Sequence, residues 1–275
     1  MVLQSPSLSQ AAAIVSRGVA EGGEDRRPDS RPCPDTKGER MKLPGKEIAN
    51  RPLRFYWVLD LSSSMLGNKI GQLNHAIREA LPAMRDVADD NAYAAVEVKV
   101  LTFATGAKWH TPAPVPLDSF QWTDVSAGGI TDMGAAMSEM AEELSTDNMP
   151  ERGLPPVIVL ITDGHPTDNF ARGLRELQER PWAQRAVRIA IGIGDDADLD
   201  VLRQFIDHAE IEPLNADNSR DLVSYIRWAS TTGLKTASAP GTRTTHPVEN
   251  PSIMDALPDP PPSSSDVDDD DDDVF

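Results

Sequence analysis

The chain has 275 residues, 39% of them hydrophobic, which is enough to bury one sizeable core, and its formal charge is −18. The balance stays at −11 when the seven aspartates between Asp266 and Asp273 are set aside, which argues against nucleic-acid binding through phosphate contacts. A lone cysteine, Cys33, lies among prolines; it leaves no disulfide framework or cysteine zinc site and fits a cytoplasmic chain.

Residues 1–50 read as a disordered leader, and Met41 is well placed to be the true start. The apolar patch in "MVLQSPSLSQAAAIVSRGVAEGG" has no charged stretch before it and is too short to span a bilayer, so no membrane partner is expected. "LRFYWVLD" then predicts a strand ending on Asp60. Ile70, Leu73, Ile77, Leu81, Met84 and Val87 recur at three- and four-residue steps and predict an amphipathic helix over 70–87. "AAVEVKVLTFA" alternates as a strand should, and "AKWHTPAPVPL" reads as an edge strand interrupted by proline.

Met133, Met137, Met140, Ala141 and Leu144 share one face of a helix over 131–144. "PPVIVLITDG" is a continuous apolar run of the kind buried in a parallel sheet, and "AVRIAIGIG" is another. Helices over 170–177, 199–208 and 219–231, with a short strand at "IEPLNA", complete the pattern. This alternation predicts an α/β fold: a Rossmann-like, doubly wound, mostly parallel central sheet with helices on both faces. Residues 233–265 read as a flexible Pro/Ser/Thr linker and 266–275 as an acidic tail.

Ligands in open parallel sheets bind beyond the carboxyl ends of strands, where the strand order reverses. Two predicted strands end in aspartate, at Asp60 and Asp163. As central neighbours they would share one site, and two close carboxylates repel unless a cation lies between them. Ser62 and Ser64 follow Asp60 in the turn, and "AGGITDMG" brings Thr131 on a glycine-rich loop. Such hard oxygen donors select Mg²⁺, or else Mn²⁺ or Ca²⁺, over zinc or copper.

Asp60-x-Ser62-x-Ser64, Thr131 after a Gly-Gly pair, and Asp163-Gly164 together resemble the metal-ion-dependent adhesion site (MIDAS) of von Willebrand factor A (VWA) domains, over residues 51–232. The resemblance implies that Ser62, Ser64 and Thr131 ligate a metal directly and that Asp60 and Asp163 act directly or through water. It also implies an open position that an Asp or Glu of a protein partner fills, and no catalysis. Within the superfamily, "LPGKEIANRPLRFYWVLDLSSSM", "GGITDMGAAM", "ITDGHPTDNF" and "YIRWAS" are most similar to the bacterial cytosolic TerY-like group of tellurium-resistance and stress operons. That likeness implies a Ser/Thr kinase and a PPM-type phosphatase from the same operon as partners. The departure is Leu61-Ser62-Ser63, where Thr-Ser-Gly or Cys-Ser-Gly is commoner in the group.

Other readings stand beside this one. Asp60 and Asp163 alone would serve as helix caps. A metal-assisted phosphohydrolase would need an acid or base, for which His165 and Asp168 are the candidates, and a scaffold would keep a purely structural metal. "GIGDDA" matches a dinucleotide loop, but Asp195 and Asp196 would repel a pyrophosphate, so an ordinary turn is expected. Trp122, ahead of the threonine loop, is either an edge filler or a partner contact. The acidic tail is a solubilising end or, more sharply, a ligand in cis for the metal, within a coil reach of ~30 Å.

Overall fold

A computed structural model describes residues 51–91, 93–239 and 252–264. The leader and the acidic tail lie outside the described residues.

The order along the chain is β1 (Arg51–Asp60), α1 (Asn68–Asp89), β2 (Ala94–Ala104), β3 (Gly106–Trp109), β4 (Val115–Pro116), α2 (Met133–Glu143), β5 (Val157–Thr162), α3 (Phe170–Gln178), β6 (Val187–Ile193), α4 (Leu199–Ile206), β7 (Leu214–Ala216) and α5 (Ser219–Ser238). The sheet runs β3-β2-β1-β5-β6-β7, with β4 beside β2. All pairs are parallel except β2 with β3 and β2 with β4. The predicted edge strand is thus two short pieces, separated where Pro112 and Pro114 cannot donate to a ladder.

β1 and β5 hold the centre because they are apolar on both faces. Phe55 to Leu59 and Val157 to Ile161 are fully buried. From β1 the chain winds outward to β2, and from β5 it winds the other way to β6. The order therefore reverses between β1 and β5, and right-handed crossovers in opposite directions flank the sheet with helices. Helix α1 packs along α5 and α2 along α3. Where α2 meets α3, a side chain on Gly173 would begin only 2.2 Å from the Gly134 carbonyl oxygen, so the two backbones touch.

Two boundaries differ from the sequence reading. Helix α5 continues seven residues beyond Thr231, because Leu234 and Ala237 extend its apolar face and the small Thr232, Gly233, Thr236 and Ser238 bury with them. A linker-like composition concealed a packed helical end. Residues 252–264, read as flexible linker, lie against the domain instead. Met254 is buried, its sulfur accepts from the Arg188 amide at 3.2 Å, and Asp255 pairs with His208 at 2.8 Å. At the other end of this strap the Ser264 amide donates to Asp221 at 3.0 Å and its hydroxyl meets Asn218 at 2.9 Å, beside the start of α5.

Candidate metal centre

The crevice between the ends of β1 and β5 holds all five predicted residues. Asp60, Ser62 and Asp163 are at most 1% exposed, Thr131 is 6% exposed, and Ser64 stands on the open rim. The turn after β1 forms because Asp60 Oδ1 accepts the Ser62 amide at 2.7 Å, folding the chain back toward the strand end. From there the hydroxyls of Ser62 and Ser64 are 2.8 Å apart, and Ser64 donates to Asp163 Oδ1 at 2.8 Å. One chain of hydrogen bonds thus crosses from the end of β1 to the end of β5.

Thr131 comes from a third segment. A carbon placed on Gly164 would lie 3.5 Å from Thr131 Oγ1, 3.6 Å from Asp60 Oδ2 and 3.6 Å from Ser64 Oγ, so these three oxygens converge on the space beside Gly164. Several bonds hold the threonine segment there. The Thr131 amide donates to Thr167 Oγ1 at 3.0 Å, and the Thr167 amide donates to the Thr131 carbonyl at 2.8 Å. Asp168 takes the first amides of α2, from Gly134 at 2.7 Å and Ala135 at 2.8 Å. Ser63 ties the segment to the β1 turn, donating to and accepting from Gly129 at 2.8 and 3.0 Å. Thr131 itself lies ahead of α2, which starts at Met133, rather than within the predicted helix.

Three residues escaped the sequence reading. Lys69, in the first turn of α1, reaches Asp163 Oδ2 at 2.7 Å and Asp196 at 3.4 Å. Thr162 donates to Asp60 Oδ2 at 2.5 Å, and Thr167 clamps Thr131. A lysine at a helix N-terminus opposes the macrodipole, and that anomaly was a legible sign of a carboxylate partner. Partial burial disfavours the Lys69 ammonium, but the hydrogen bond and charge of Asp163 outweigh it and hold the group above the ordinary lysine range. Burial pushes the Asp60 carboxyl up, against the hydrogen bonds from Ser62 and Thr162.

The neighbouring candidates fall elsewhere. Neither Asp60 nor Asp163 caps a helix; the caps are other residues. Both oxygens of Asp168 are engaged by α2, and His165, largely exposed, pairs with Asp198 at 2.7 Å. Trp122 is an edge filler, its indole donating to Asn74 at 3.0 Å and its ring set edge-on to Trp57. "GIGDDA" is a turn in which Gly194 takes φ 89°.

Two buried carboxylates and three hydroxyls form a hard donor set, and it fits a divalent cation held mostly by neutral oxygen. The family model of the von Willebrand factor type A domain matches residues 56–225. The chain belongs to this family. VWA domains with a MIDAS bind divalent metal there, and VWA domains mediate protein–protein interaction. A comparison with curated proteins gives no match.

Among solved structures, the VWA domain is similar to a von Willebrand factor type A protein of Catenulispora acidiphila, with a TM-score of 0.53 and 16% identity over 67% of this chain and 43% of that one. The pilus adhesin SpaC of Lactobacillus rhamnosus GG gives 0.52 and 13% over 68% and 30%. The mussel byssus protein PTMP1, described with a zinc-occupied MIDAS, gives 0.45 and 17% over 67% and 46%. This chain spans less than half the length of each, and identities this low speak to the fold. Among the described residues no helix is long and apolar enough to cross a membrane.

Proposed function

We propose that this VWA domain is a non-enzymatic, metal-dependent protein-binding module. In this reading Asp60, Ser62, Ser64, Thr131 and Asp163 hold Mg²⁺, with Mn²⁺ and Ca²⁺ suited to the same donors. A partner supplies an Asp, Glu or phosphate oxygen to the remaining position. The observation that carries it is the convergence of oxygens from the β1 turn and the threonine loop on the space beside Gly164, with Asp163 at the end of β5 bonded to Ser64. Such a cation, when bound, supplies an electrophilic point for an anionic ligand. The two carboxylates balance a divalent charge, and Lys69, by pairing with Asp163, brings the site to net positive.

The sequence likeness to the TerY-like group extends the proposal to a cytoplasmic adaptor in a bacterial stress-response or phospho-signalling system. A Ser/Thr kinase and a PPM-type phosphatase are its expected partners. The alternative of a metal-assisted phosphohydrolase loses support from the geometry, since Asp168 is committed to α2 and His165 to Asp198. Turnover of a generic phosphoester that needs Mg²⁺ and disappears in Asp60→Ala would restore it.

The test is capture of partners from the native host with Mg²⁺, with EDTA and with Asp60→Ala/Ser62→Ala. Partners held only by the intact protein in Mg²⁺ support binding through the site. Identical partners under all three conditions would reduce any metal to a structural role.

A further inference from the structure

Leu66 is 59% exposed, Ile130 50% and Tyr93 53%, and these are the large hydrophobic residues standing in solvent among the described residues. One such residue on a surface means little. Two of these three, however, bracket the candidate metal centre. Leu66 lies two residues after Ser64, and Ile130 directly precedes Thr131. Tyr93 belongs to the other end of the sheet, where its carbonyl accepts from Arg51 at the start of β1.

Neither aliphatic side chain is exposed through slack in its loop. The Leu66 amide donates to the Ser63 carbonyl at 3.1 Å, and the Ser63 amide donates to the Gly129 carbonyl at 3.0 Å, fastening the two loops together. On the second loop, a side chain on Gly129 would meet Thr105 Oγ1 at 2.8 Å, and the Thr131 amide is held by Thr167. Ile130 stands between these anchored neighbours. Both aliphatic groups thus stand in solvent on anchored loops that also carry Ser64 and Thr131 of the candidate centre.

We infer that Leu66 and Ile130 are contact residues for the partner, and that the partner presents a carboxylate flanked by apolar side chains on the same face. This inference rests on the proposed function and narrows it. A free inorganic anion or a bare acidic chain would satisfy the metal and Lys69 but leave both aliphatic groups wet. A segment carrying apolar groups beside its acid covers them and keeps water from the charged contact, which strengthens that contact. In an extended segment these groups stand two residues before and after the acid, since alternate side chains share a face.

The experiment pans a random dodecapeptide display library against the full chain in Mg²⁺ and elutes with EDTA, in parallel with the exposed-residue variant Leu66→Ser/Ile130→Ser. The expected result is an eluted pool in which acids carry Leu, Ile, Val or Phe nearby, with that apolar enrichment lost in the variant. A synthetic peptide from the pool should bind the variant about tenfold more weakly, as expected for losing burial of two partly exposed aliphatic side chains. Unchanged melting temperature shows that the variant is folded. Acidic peptides without apolar enrichment, or equal enrichment with both proteins, would overturn this inference and leave metal-dependent binding intact. A library with no EDTA-eluted acidic pool would overturn the proposed function, and this inference with it.

Discussion

The same sheet edge carries two turns rich in acid and small residues, and they do different things. The turn after β1, from Asp60 to Ser64, buries its first carboxylate completely and joins it to the Thr162 hydroxyl of β5, with Thr131 Oγ1 of the threonine loop beside the same space. In the turn after β6, Asp195 and Asp196 remain exposed, and Asp198 caps α4 by accepting from Asp200 and Val201 at 3.1 and 3.2 Å. Residue type does not separate them. Position does: β1 lies between β2 and β5, so three segments close over its end, whereas β6 is followed only by the three-residue β7. An acid at a strand end becomes part of a site where neighbouring loops enclose it, and elsewhere it caps a helix.

The contrast can be broken most sharply at Asp60. In Asp60→Asn the rise in melting temperature on adding Mg²⁺ should vanish, while in EDTA the variant should melt a few degrees higher than the wild type, because an amide avoids burying a charge. Asp60 is held above the usual carboxylate range. The folded metal-free chain therefore takes up its proton at a higher pH than the unfolded chain, so between those two values acidification stabilises the wild type. The melting curves of wild type and variant in EDTA should thus converge as the pH falls, and a constant gap would refute the account.

Next in size is Lys69→Met. Removing a cation that competes for Asp163 should tighten Mg²⁺ binding about fivefold by calorimetry while weakening capture of an acidic ligand. A loss of Mg²⁺ affinity would show that Lys69 instead positions Asp163.

On the other turn, Asp198→Ala should lower stability by about 1 kcal/mol in denaturant titration through the lost cap, with the Mg²⁺ response kept. The smallest effect is expected for Asp195→Asn/Asp196→Asn. Its Mg²⁺ affinity at physiological salt should stay within about twofold of wild type, since exposed charges are screened. A larger change would make the two turns a single electrostatic unit.

The sheet and the five site residues were legible because each announces itself locally. Continuous apolar runs mark the central strands, and an acid, small hydroxyls or paired glycines mark where they end. Lys69, Thr162 and Thr167 were harder to find because their roles depend on partners far along the chain, 94, 102 and 36 residues away. The strap at 252–264 was missed for a different reason. Its anchors, Met254, Asp255 and Ser264, are scattered among prolines and serines without a period, and their meaning comes from Arg188, His208, Asn218 and Asp221. The end of α5 is hard to read because its small polar residues, Thr232, Thr236 and Ser238, have a linker-like composition and show their role only when buried in the folded chain.

The loop from Asp163 to Asp168 has an implication for inheritance. Within six residues it contributes one acid to the centre, grips Thr131 through Thr167 and seats α2 through Asp168. Genetically, then, Thr131 and Asp163 behave as one locus although they stand 32 positions apart. Lesions in this loop and in the threonine segment should mask one another rather than add. A suppressor of a damaged threonine loop is accordingly to be sought in residues 163–168, where a single change can re-aim both arms of the site.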